Sequence, residues 1–175
     1  SADPVAEQAC RRAAEILPGR IEPYRHLIDR YTADGVFSQS EETIYTALLN
    51  RHADALRSDR TAWAQLCFDT GRLYWYYYAV EPNDADAEGL RMARIRAAAP
   101  WMRDAAETET FEETALAGIY AGIAEFNVRI VPLINEGHDG GRYQPYFGLL
   151  QRLVESASAQ RSEVIRLEAT NLALD

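Results

Sequence analysis

At 175 residues the chain can hold one domain or one continuous array with its own core, and 47% apolar with 26% charged residues fits a globular fold. No apolar run reaches the ~18 residues needed to cross a bilayer, no basic-plus-apolar leader opens the sequence, and the net charge of −9 argues against nucleic-acid binding. The start at Ser-Ala-Asp-Pro without Met reads as a piece of a larger protein, expected to be cytoplasmic and not inserted in a membrane.

The dominant period is helical. Val5 to Leu17 is Ala-rich and stops at Pro18-Gly19, and the next helix restarts at Glu22-Pro23. That second helix places Tyr24, Leu27, Ile28 and Tyr31 on one face and ends near Asp34-Gly35. Ser38-Gln-Ser-Glu41 reads as a capping box for a third helix running through Ile44, Ala47 and Leu48 to about Arg57. A fourth helix is predicted from Ser58 or Asp59 to Tyr78, closed by Glu81-Pro82-Asn83-Asp84. A fifth covers Asp86 to Glu107, with a kink or restart at Pro100, and a sixth covers Phe111 to Asn135 with Pro132 near its end. Gly137-His-Asp-Gly-Gly141 reads as a loop, and helices over 144–156 and 161–174 complete an all-α chain of about eight helices.

Within these helices, small and bulky residues recur at fixed offsets. Ala6, Cys10, Ala13 and Pro18 fall four, three and five apart; Tyr24, Leu27, Ile28 and Tyr31 follow, then Gly35 and Phe37, then Ser40, Ile44 and Ala47. This resembles the tetratricopeptide repeat, whose small residues mark close helix crossings and whose period is about 34 residues. Ile28 departs from the small residue of that pattern, which implies a wider crossing. Later units are looser: Gly71 and Tyr74 with Ala98, Met102 and Ala105, then Tyr120, Ile123, Ala124 and Asn127. The resemblance implies a single antiparallel helix-pair solenoid over 1–175, clearest over 6–57, with looser repeats over 58–107 and 110–175.

A second set of residues is more distinctive. Cys67-Phe-Asp-Thr-Gly-Arg-Leu-Tyr-Trp-Tyr-Tyr-Tyr78, with Arg91-Met92, Ala99-Pro-Trp101-Met and Ala117-Gly-Ile-Tyr120, resembles the helical region C-terminal to the catalytic domain in some bacterial serine/threonine protein kinases. The implied parent is an ATP-dependent kinase, but these residues carry no glycine-rich phosphate loop, His-Arg-Asp loop or Asp-Phe-Gly ligand, so no catalysis and no cofactor is expected of them.

The five aromatics Tyr74 to Tyr78 cannot share one face, because successive residues turn by ~100° about a helix axis. They make either a core helix enclosed on most sides or one that turns part of itself to a groove. In the repeat family first helices line the concave surface, which implies a groove built from Arg25 and Asp29, then Phe68, Arg72, Trp75 and Tyr76, then Ala121, Glu125 and Arg129. Aromatic surface ringed by Arg and carboxylates suits an extended peptide. The expected function is therefore a non-catalytic peptide- or protein-binding or regulatory module, its partner a polypeptide such as the parent kinase domain or its substrates. The alternative is structural self-association as a homodimer. Cys10 and Cys67 read as buried free thiols. The three histidines show no metal spacing, and Glu41-Glu42 and Glu112-Glu113 sit in helix first turns, where the dipole favours them.

Overall fold

Proline, glycine and short polar side chains set the helix boundaries in the computed structural model, which describes residues 4–80 and 88–132, Val36 excepted, together with 136, 137, 144, 147, 148, 151, 152, 154 and 155. Helix α1 (Pro4–Ile16) stops ahead of Pro18-Gly19, and α2 (Glu22–Asp34) restarts with Pro23 in its first turn, where a missing amide proton costs nothing. Gly35, at φ 64°, takes the left-handed conformation that closes α2 and donates its N–H to the Thr32 carbonyl. The capping box opens α3 (Gln39–Leu56): Ser38 Oγ accepts the Glu41 N–H at 3.3 Å, and the Glu41 carboxylate accepts the Ser38 N–H at 2.6 Å. Asp59 Oδ1 accepts the Ala62 N–H at 3.0 Å at the start of α4 (Arg60–Val80). Helices α5 (Glu88–Ala106) and α6 (Thr114–Arg129) follow.

The described residues thus contain six helices and no strand. Of the two further helices expected, residues 144, 147, 148, 151, 152, 154 and 155 are helical, while 161–174 and His138–Gly141 lie outside the described residues, as does Asp86. Of the kink or restart expected at Pro100, the restart does not occur: α5 runs through it. Both Pro100 and Arg96, whose carbonyl loses its helical partner there, are exposed, so water can take the hydrogen bond. The sixth helix is shorter than expected. Phe111 lies in a turn ahead of it, held where Thr114 Oγ1 donates to the Thr108 and Phe111 carbonyls, and α6 ends at Arg129.

Helix α4 is the centre of the fold. Trp63, Ala64, Leu66, Cys67, Phe68, Leu73, Tyr74 and Tyr77 are all buried, and they lie around most of its circumference. Its closest neighbour is α5, and α5 in turn packs closely on α6. Small residues permit this: Gly71 faces Met102 with no room between them, and Ala64, Ala98, Ala105, Ala117 and Ala124 are fully buried. The backbones of α2 and α3 stay further apart than those of α1 and α2. Tyrosine rings fill that wider gap, with Tyr24 and Tyr31 edge-on to Tyr45 at 6.3 and 6.2 Å. Ile28 instead lines a cleft facing α4.

The hydroxyls of Tyr24, Tyr31, Tyr45, Tyr74 and Tyr77 all find partners, as a polar group must away from water, Tyr31 donating to Glu7 at 3.3 Å. Tyr24 and Tyr77 donate to the carbonyls of Leu48 and Tyr31, Tyr45 bonds Thr70 at 2.7 Å, and Tyr74 donates to Glu42 at 2.9 Å. Arg94 of α5 joins the same cluster. Its guanidinium donates to Glu42 at 3.1 Å and to the Phe37 carbonyl at 2.7 Å, and it lies over the Phe37 and Tyr77 rings. One cation therefore ties α5 to the start of α3 and to α4.

A cleft between α2 and α4

Residues three, four and seven apart share a helix face, so Arg25, Asp29 and Thr32 line up along α2, and Asp69, Arg72, Leu73 and Tyr76 along α4. These two faces, with Ile28, enclose a cleft of about 240 Å³. Arg25 Nε reaches across it to Asp69 Oδ2 at 2.9 Å, and Gln65 Nε2 donates to Asp69 Oδ1 at 2.9 Å. Burial raises the Asp69 carboxyl above its ordinary pKa, and Arg25 opposes that rise. Glu113 is likewise raised, first by burial and then by the neighbouring charges of Glu112 and Asp69, with Arg72 opposing. Arg72 also stands over the Phe68 ring, 5.7 Å from its centroid.

Four of the nine groove residues expected from sequence line this cleft: Arg25, Asp29, Arg72 and Tyr76. The other five stand elsewhere. Phe68 is 2% exposed and offers the cleft no surface; its ring packs edge-on against Phe111 and Tyr120 in the core. Trp75 is half-buried, its ring 4.7 Å from Tyr120 on the α6 side of α4. Glu125 and Arg129 pair with each other at 3.0 Å on α6, away from the cleft, and Ala121 of α6 packs against the core. The aromatic run is thus divided: Tyr74 and Tyr77 are buried, Trp75 and Tyr78 half-buried, and Tyr76 is 37% exposed. Asp69 was not anticipated. Its signal lay in the spacing, since it sits three residues before Arg72 and seven before Tyr76 on the same helical face.

No protein-family model matches the chain, and neither a curated protein nor a solved structure is significantly similar to it.

Among the described residues no group of three or more His, Cys, Asp or Glu could hold a metal ion, and no helix is long and apolar enough to cross a membrane. Both cysteines are free. Cys67 is fully buried and its thiol is pushed well above the ordinary range, which removes its nucleophilic form. Cys10 is half-buried between α1 and α2, beside His26 and Arg20.

Proposed function

We propose that this chain is a non-catalytic, tetratricopeptide-like peptide-binding module, a regulatory region C-terminal to the catalytic domain of a bacterial serine/threonine kinase, and that the cleft between α2 and α4 receives its partner. The observation that carries the binding reading is the convergence of Arg25, Asp29, Arg72 and Tyr76 on one concave surface. The mixture of charge, ring and a small apolar surface at Ile28 is that of a peptide-recognition site. The kinase parent rests on the resemblance of residues 67–78, 91–92, 99–102 and 117–120, and is tested by the coding sequence upstream of Ser1; absence of a kinase domain there removes it and leaves the binding module standing.

A photo-crosslinking phenylalanine analogue at position 76 tests the cleft, with the same analogue at position 125 as the control. Crosslinking of one polypeptide at 76 and not at 125 is expected. Equal crosslinking at both positions, or none at 76, refutes the reading. Self-association through the aromatic helix has less support, because Tyr76 is the one residue of Tyr74–Tyr78 that is more than a third exposed.

A further inference from the structure

The charges in the cleft do not pair as helix spacing dictates. Arg25 and Asp29 lie one turn apart on α2, where a cation and a carboxylate ordinarily meet, although the order with the cation first is the weaker one. Arg25 turns across the cleft to Asp69 instead. Asp69 is the more buried carboxylate, its side chain 18% exposed, so its charge is less screened and holds the guanidinium more strongly. Arg72 is engaged on the other side, over Phe68 and with its charge acting on both Asp69 and Glu113. Asp29 remains, exposed on the rim, and among the described residues no hydrogen bond or ion pair reaches it.

We infer that the cleft recognises a peptide through one basic side chain, Arg or Lys, whose charged head meets Asp29 and the Tyr76 ring while its alkyl stem lies against Ile28. This rests on the peptide-binding reading of the same cleft. A carboxylate, an exposed aromatic ring and a small apolar surface are the three things such a side chain uses, because it buries its stem and keeps its head polar. The cleft, at about 240 Å³, is below the ~300–1,000 Å³ of sites that enclose a whole small molecule, so it seats one side chain of a longer segment. The net charge of −9 draws cationic segments toward the surface and repels acidic ones. An anionic ligand would have to displace Asp69 from Arg25 and then lie beside Asp29.

Selection of random dodecapeptides displayed on phage against the full chain and against Asp29→Asn tests this. Asp29 is exposed, so the variant keeps the fold. The wild type is expected to enrich Arg or Lys at one fixed position, and Asp29→Asn to lose that preference. A synthetic enriched peptide should bind Asp29→Asn at least tenfold more weakly by calorimetry, and so should the same peptide with its basic residue changed to Gln. Enrichment of acidic or uncharged peptides that still need Tyr76 overturns the basic-ligand inference and leaves the peptide groove. Enrichment of nothing that depends on Asp29 or Tyr76 overturns both.

Discussion

Gly71 sits where α4 meets α5, and adding a single methyl group there has a calculable cost. A Cβ at position 71 would stand 2.8 Å from Met102 Cε and 2.9 Å from its Cγ and Sδ, where ordinary contact begins at 3.4 Å. Met102 is fully buried, and its Cγ lies close to the backbone, so the side chain cannot simply swing away. Overpacking of this kind costs about 1–3 kcal/mol. Against it stands the gain of about 1 kcal/mol when Ala replaces Gly inside a helix. Gly71→Ala should therefore lower stability by about 1 kcal/mol, the central difference of those two terms. In a Met102→Ala background the obstruction is gone and the same substitution should raise stability by about 1 kcal/mol, a coupling of about 2 kcal/mol. Urea unfolding of the four proteins, followed by far-ultraviolet circular dichroism, measures it. A stabilising Gly71→Ala in the wild-type background, or a coupling near zero, would refute the claim that this glycine exists to admit Met102.

Arg94→Ala leaves Glu42 without its cation and removes the donor to the Phe37 carbonyl; a loss of about 3 kcal/mol in urea unfolding is expected, at the low end for a buried pair because Glu42 keeps some solvent. Ser38→Ala removes the side-chain half of the α3 capping box and should cost about 1 kcal/mol in the same assay. Burial pushes Tyr24 and Tyr77 up to about 12 and Tyr31, Tyr45 and Tyr74 higher still. The unfolded chain loses those protons near pH 10 and the folded one does not, so stability is full below about pH 10 and falls as pH rises toward 12. Absorbance titration at 295 nm should show these five tyrosines ionising together with unfolding; smooth ionisation near pH 10 in the folded protein would contradict their burial. Asp104 is raised by burial and by Glu107, so Asp104→Asn should stabilise the protein at neutral pH, with the advantage fading as pH falls toward about 4 and gone below it, where both states of the wild type are protonated.

The helices were legible in the sequence where local chemistry decides them. Pro23, Gly35, Ser38-Glu41 and Asp59 each act within a few residues of themselves, and each boundary falls where that chemistry puts it. The face carrying Tyr24, Leu27, Ile28 and Tyr31 was legible for the same reason, and all four are buried. What periodicity could not show is which neighbour a face meets. Phe68 and Trp75 lie on the helix that lines the cleft, yet both turn to α6, because the cleft side of α4 is fixed by where α2 lands. Arg94 gave no signal: its partners at Phe37 and Glu42 lie 57 and 52 residues away, and their approach depends on the whole stack. Of the kink or restart expected at Pro100 the restart does not occur, since a proline inside a helical pattern says nothing of whether the orphaned carbonyl faces water.

Arrays of helix pairs commonly melt piecemeal, since each unit touches only its neighbours and the ends open first. The bridge from Arg94 to Phe37 and Glu42 works against such fraying, because α5 cannot leave without stranding a charge on α3. Opening either half exposes the same guanidinium and the same carboxylate. Helices α2, α3, α4 and α5 are therefore expected to open together, with slow amide hydrogen exchange at the start of α3 and in the middle of α5 reporting a single event.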